Sequence, residues 1–307
     1  MEGTIRYELS QPWTGGKGPA VISKQEFDGL LEAKIALIQM LAFEEKMDMV
    51  LESLLEHERD FLELALRSAV FQEFDWSALR ERTQLVNRRL LNLLSACQLY
   101  LDQVPQDLAA LGDPTLKKVF AGEVDKERQT RFAFRFMEAI RNYLQHRDVP
   151  IAGLLYDGAW VGGSGQQWRR HLVRPNVSVE RLIQKLRADR KFDKVVLKEI
   201  ETKGKSIDLK VCVREYVSSL GAIHARLRDH LEPRVTAWDS KVLDSLQRYQ
   251  SKTQASLPVR LVARSLASQG VETESLQLFS DFIDRRVALV WKNRYTQNLD
   301  KFLITSE

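Results

Sequence analysis

Arg141, Asn142 and His146 are the residues of this chain whose types and spacing could do chemistry. A histidine titrates near neutral pH, so it can take or give a proton without extreme tuning. An arginine is permanently charged and grips phosphate oxygens through two parallel hydrogen bonds. The run Arg141-Asn142-Tyr143-Leu144-Gln145-His146 therefore pairs an acid–base group with an anion clamp. On an ideal helix Asn142 and His146 lie about 40° apart, but Arg141 and His146 lie roughly 140° apart. A regular helix does not make the last two a dyad. Either the helix loosens in its final turn before Pro150, or a second copy of the chain brings two motifs together.

Two basic clusters have the charge to line a phosphate-binding surface. One is Trp168-Arg169-Arg170-His171 with Arg174, from which Arg169, Arg170, His171 and Arg174 are the expected substrate-binding group. The other is Arg80, Arg82, Arg88 and Arg89; solvated helix faces and loop charges account for either cluster better than a phosphate site does. Overall, 46 basic against 42 acidic residues leave a net charge of +4, which by itself demands no polyanionic partner. The two cysteines, Cys97 and Cys212, form no Cys-x-x-Cys pair and the five histidines are scattered, so neither a metal nor a cofactor is expected. Glycines cluster between residues 153 and 165, but no Gly-Lys-Ser/Thr follows them, which argues against a nucleotide-binding loop. His57 sits among Glu56, Glu58 and Asp60 and reads as part of a solvated face. His224 and His230 flank Arg226 and Arg228 and read as exposed or interface positions.

The elements that must position these residues are long amphipathic helices. Residues 1–22, broken by Pro12, Gly15, Gly16, Gly18 and Pro19, read as an extended lead-in. Ser23 and Glu26 form a capping box, in which each side chain satisfies an orphan backbone donor of the other. Apolar residues then recur at helical spacing to about Phe43, and again from Glu44 to Phe71. A third helix is expected over 77–103, stopped by Pro105, and a fourth over 125–147, stopped by Pro150. In the fourth, Phe132, Phe136, Ile140, Tyr143 and Leu144 share a face, which puts the Arg–His motif at its end. A β-hairpin, Ala159–Val161 against Gln166–Leu172, is the one place where strand is expected. Helices resume over 178–203 and 207–231, and Pro233 separates them from a helical C-terminal region, 233–307. The fold class is thus all-α: a bundle over 23–232 with a hairpin inserted at 149–177. No signal-peptide layout and no apolar run long enough for a bilayer are seen, so the expectation is a cytoplasmic protein with no membrane partner.

The Arg-x4-His motif, closing a long amphipathic helix that follows earlier bundle helices, resembles the HEPN family (higher eukaryotes and prokaryotes nucleotide-binding). The motif covers six residues and the helical context extends the resemblance to about 23–231. The resemblance implies an up-and-down helical bundle and a homodimer whose two motifs line one cleft. It implies metal-independent endoribonuclease activity of the toxin–antitoxin or anti-phage defence kind. The 2′-hydroxyl of RNA would attack the adjacent phosphorus, leaving 2′,3′-cyclic phosphate and 5′-hydroxyl ends. His146 would serve as general base or acid, Arg141 would hold the scissile phosphate, and Asn142 would position His146 or the phosphate. RNA, a second copy, and an antitoxin or defence-system protein are the partners implied. Some members carry a tyrosine two residues beyond the histidine, where an antitoxin modifies them; that position here is Asp148. The alternative reading is a non-catalytic helical RNA- or nucleotide-binding or adaptor module of a defence system.

Overall fold

In a computed structural model, the described residues are 5–12, 18–71, 75–146, 151, 153–163, 167–177, 179–188, 192–203, 207–254 and 260–301. In chain order they form β1 (Arg6–Ser10), β2 (Ala20–Ile22), α1 (Lys24–Val70), α2 (Trp76–Ala110), α3 (Thr115–Thr130) and α4 (Phe132–His146). Then come β3 (Gly153–Val161), β4 (Trp168–Asn176), α5 (Val179–Ala188), α6 (Lys194–Glu201), α7 (Leu209–Thr253), β5 (Leu261–Leu266), β6 (Glu272–Leu278) and α8 (Asp281–Lys292). The chain is mostly helical, as its periodicity predicts. No helix among the described residues is long and apolar enough to cross a membrane.

Four strands correct the all-α reading. The lead-in supplies β1 and β2, and the C-terminal region, expected to be helical, supplies β5 and β6; together they form an antiparallel sheet in the order β2-β1-β5-β6. Two helix breaks are also corrected, because Pro105 lies inside α2 and Pro233 inside α7. An interior proline costs about 3 kcal/mol. Val104 and Leu108 are buried around the first, and Leu231 and Val235 around the second. Each such burial contributes roughly 1.5–3 kcal/mol, which offsets the lost hydrogen bond. By the same logic α1 runs unbroken through Phe43 and Glu44, both buried. Conversely, the single helix expected over 125–147 is two, divided at Arg131.

The chain divides into two compact units that interleave along the sequence. The first comprises Met1–Glu45, Pro105–Leu116 and Arg226–Arg294. Its sheet aligns Leu9 of β1 with Ala263 of β5, and Ala263 with Leu276 of β6. Cross-strand partners share a face, and this row is buried. Phe27, Leu30, Leu37 and Met40 of α1 are buried, as are Trp238, Val242, Leu246 and Tyr249 of α7. The capping box starts α1 as its sequence predicts: Ser23 N–H donates to Glu26 Oε2 (2.7 Å) and Glu26 N–H to Ser23 Oγ (3.1 Å). Buried Glu44 accepts two bonds from Arg228, at 3.0 and 2.7 Å.

The second unit comprises Lys46–Val104, Lys117–Ala225 and Tyr295–Glu307. Its core joins Met47, Val50 and Phe61 of α1 to Leu90, Leu93, Leu94, Cys97 and Tyr100 of α2, Phe134, Phe136, Met137 and Ile140 of α4, and Val213, Tyr216, Val217 and Leu220 of α7. One close approach dictates a residue type. A Cβ on Gly221 of α7 would stand 2.7 Å from Thr296 Oγ1 and 2.8 Å from the Thr296 carbonyl oxygen. Only glycine lets that segment lie against α7.

His57 is buried, which corrects its placement on a solvated face. The physical reason is its neighbour: Glu58 is turned inward to accept two bonds from Arg214, at 2.6 and 2.7 Å, and His57 goes in beside it. The His57 ring packs edge-on against Phe61, and its Nδ1 has no hydrogen-bond partner. Burial holds its pKa down to about 4, against the opposing pull of Glu58 and Asp60.

Two predictions follow from this packing. Gly221→Ala lowers unfolding free energy by about 2 kcal/mol, whereas Gly122→Ala in α3, where nothing stands within 4 Å of the added carbon, raises it by about 0.5–1 kcal/mol. Urea titration of the two variants checks the contrast. The second concerns acid. The unfolded chain protonates His57 near 6.5 and the folded chain only near 4. Its contribution is therefore fully present above about 6.5 and is lost as pH falls toward 4, by on the order of 3 kcal/mol. Urea midpoints at pH 7.5 and 4.5 should drop less in His57→Gln than in the wild type. An equal drop in both refutes the assignment.

Candidate functional site

The candidate site is built on α4, in the second unit. Ala133, Phe134, Phe136, Met137, Ile140 and Tyr143 give this helix its buried face. Phe134 meets Tyr216 of α7 edge-on, with ring centroids 5.0 Å apart. Just beyond the motif, Ile151 is buried and pinned by α2: Asn87 Nδ2 donates to its carbonyl (2.9 Å) and Asn87 Oδ1 accepts from its N–H (3.4 Å).

Polar residues of α4 differ sharply in how they are satisfied. Arg135 donates to both carboxylate oxygens of Glu199 in α6, at 2.9–3.3 Å. Glu138 accepts a two-pronged pair from Arg128 of α3, at 3.0 and 2.9 Å. Arg141, one turn further on and half-buried, has no carboxylate partner among the described residues. Its Nη1 donates to Asn142 Oδ1 (3.0 Å), and its Nε is buried without a partner. Burial raises the Tyr216 phenol well above its ordinary pKa, and Arg141 is among the charges that oppose this.

α4 is helical through His146, so the backbone keeps the roughly 140° separation of Arg141 and His146. Loosening before His146 is not found. The His146 side chain lies outside the described residues, as do Asp148 and Pro150. Asn142 is exposed and takes Arg141 as its partner.

The hairpin falls where it is expected and is longer, nine residues in each strand. Its register pairs Val161 with Trp168, Trp160 with Arg169 and Ala159 with Arg170. Alternation divides the expected substrate-binding group. Arg170 and Arg174 share one face with Trp168, and Arg169 and His171 share the other with Trp160. Arg169, Arg170 and Arg174 are exposed and, among the described residues, unpaired with any carboxylate. His171 is turned toward α1, with Nδ1 3.5 Å from Ser68 Oγ. Trp160 and Trp168 are 67% and 56% exposed, too open for core residues. Alternation alone places Trp168 beside Arg170, but setting Trp160 across from Arg169 needs the register, which the sequence alone leaves open.

On α2, Arg89 bonds Asp60 and Glu56 and Arg82 is buried, while Arg80, over the Trp76 ring, and Arg88 are exposed. His224 is buried and hydrogen-bonded to the Tyr100 hydroxyl (3.1 Å), which corrects its reading as exposed or interfacial. Burial pushes the Cys97 thiol far up and the Cys212 thiol up to about 12, so neither is a thiolate near neutral pH. No group of three or more His, Cys, Asp or Glu side chains able to hold a metal occurs among the described residues. Comparison with protein-family models, with curated proteins and with solved structures gives no match to this chain.

Proposed function

We propose that the chain is a metal-independent endoribonuclease built on a HEPN-like helical bundle, cytoplasmic and homodimeric, of the toxin–antitoxin or anti-phage defence type. The observation that carries this reading is Arg141. It is a half-buried guanidinium at the end of α4 with an unpartnered Nε, on a helix whose other charged residues, Arg135 and Glu138, are locked in two-pronged ion pairs. A cation held this way lacks an anion among the described residues, and a phosphodiester supplies one whose two non-bridging oxygens match the guanidinium fork. Asn142 fixes the guanidinium by accepting from Nη1.

In this reading His146 takes the proton of the RNA 2′-hydroxyl or returns one to the leaving 5′-oxygen. Arg141 holds the scissile phosphate and offsets the charge that gathers on its oxygens. Arg169, Arg170, His171 and Arg174 hold flanking RNA. Because α4 turns Arg141 and His146 roughly 140° apart, each cleft takes its arginine and its histidine from motifs of two copies related by a two-fold axis. The same separation favours a second reading, in which the motif binds RNA or a nucleotide without cutting it and the protein is an adaptor of a defence system.

Incubation with total RNA in EDTA separates the two. The nuclease yields fragments with 2′,3′-cyclic phosphate and 5′-hydroxyl ends. His146→Ala slows cleavage by about 10²–10⁴ and Arg141→Ala by about 10²–10³. A substrate with 2′-deoxy sugars at the cleavage positions stays intact. Retained RNA binding with no cleavage selects the adaptor, and cleavage surviving both substitutions removes the motif from the chemistry.

A further inference from the structure

The β3–β4 hairpin exposes a surface that a structural insertion has no need of. Along β4, Trp168, Arg170, Leu172 and Arg174 fall on one face, and cross-strand partners add Val161, Ala159, Asp157 and Leu155 to it. At period 2 these positions repeat at about 6.6 Å. Trp168 and Leu155 are more than half exposed, and Arg170 and Arg174 are exposed without carboxylate partners among the described residues. The one acid on this face, Asp157, accepts from the Gly158 N–H (2.8 Å). The opposite face is closed at its base, where Val173 and Pro175 are buried and His171 approaches Ser68. Toward the tip it opens again, with Trp160 across from Arg169. The Arg169 side chain crosses Gly158, its Nε 3.3 Å from where a Cβ would stand. Glycine at 158 leaves room for that guanidinium to lie along the strand beside Trp160.

We infer that this hairpin is a binding arm for single-stranded RNA, on which bases stack against Trp168 and Trp160 while Arg169, Arg170 and Arg174 hold phosphates. The inference rests on the RNA reading above and names the form of RNA and the residues that select it. Flat aromatic surface interleaved with unpaired cations is the chemistry of single-strand recognition, since every base has a stackable face and every nucleotide a charge. Duplex RNA does not fit this surface. Its bases are stacked away from a tryptophan, and its deep, narrow major groove shuts out side chains. An arm of nine residue pairs is about 30 Å long, so its tip engages RNA several nucleotides from a cut made at the end of α4.

The test is fluorescence anisotropy of the full chain with a labelled twelve-nucleotide 2′-O-methyl RNA, which lacks the attacking hydroxyl and so cannot be cut. Trp160→Ala with Trp168→Ala weakens binding tenfold or more. Arg170→Gln with Arg174→Gln lowers the slope of log affinity against log salt by about 1.4, roughly 0.7 for each phosphate no longer neutralised. The duplex of the same sequence binds at least tenfold more weakly. All four residues are exposed, and unchanged thermal unfolding confirms that the variants fold. Wild-type affinity in the tryptophan variant, an unchanged salt slope, or duplex binding as tight as single-strand binding overturns the inference. So does tighter capture of a polyglutamate peptide, which would make the arm a site for acidic protein. Because this RNA cannot be cut, binding by the arm in a chain that never cleaves RNA leaves the inference standing and removes only the nuclease. Cleavage by the wild type with fully binding arm variants does the reverse.

Discussion

A guanidinium withdrawn from water keeps its charge, and its five donors ask for acceptors in one plane. The helices of this protein meet that demand by presenting carboxylates edge-on. Glu58 of α1 meets Arg214 of α7, Glu199 of α6 meets Arg135 of α4, and Glu138 of α4 meets Arg128 of α3, each through two bonds at 2.6–3.0 Å. Bidentate, partly buried pairs of this kind fix helix register as well as contributing energy. Breaking one is costly, because the remaining charge is left in a place where water reaches it poorly. The register of α4 against α3 and α6 is therefore set by charge as much as by Phe134, Phe136 and Ile140. That register is what delivers Arg141 to the helix end, where it has no carboxylate partner among the described residues.

The same pairing logic separates arginines that hold the fold from those available to a ligand. Arg89 and Arg214 look, by sequence, as suited to phosphate as Arg141 or Arg170, yet both are occupied by carboxylates of α1. What distinguishes Arg141 and the three hairpin arginines is the lack of an opposite charge within reach among the described residues. A small net charge of +4 conceals this, because it counts arginines paired with carboxylates and unpaired ones alike.

Local features were legible in the sequence and distant ones were not. The capping box at Ser23 and Glu26 needs only three residues of context, and both of its hydrogen bonds are present. The hairpin was readable from glycines and alternating residues, whereas its register was not. β1 was not readable, since Arg6–Ser10 gains its strand character by pairing with Leu261–Leu266, some 250 residues away. Nor were the prolines inside α2 and α7, whose cost is met by buried residues on either side and not by anything in the local sequence. His57 and His224 show the same limit at single positions. Charged neighbours in sequence suggest water, but a helix turns each residue about 100° from the next. Glu58 and Tyr100 are the partners or neighbours that make interior positions tolerable for the two imidazoles.

The helix carrying the motif also constrains how any chemistry could be arranged. Regular geometry through His146 places that residue on the far shoulder of the exposed face from Arg141, with Asn142 and Gln145 between them. An arginine and a histidine so separated cannot converge on one phosphate by rotating side chains alone. In the proposed dimer, two copies facing each other about a two-fold axis would resolve this, because an isologous contact sets each residue of one copy against a different residue of the other. The separation that makes a single chain a poor dyad would then become the width of the groove. An arm about 30 Å long, tied to α2 just before its first strand by the Asn87–Ile151 bonds, would meet the strand leaving such a groove. A single strand can bend from the groove to the arm, whereas a stiff duplex would have to satisfy both at once.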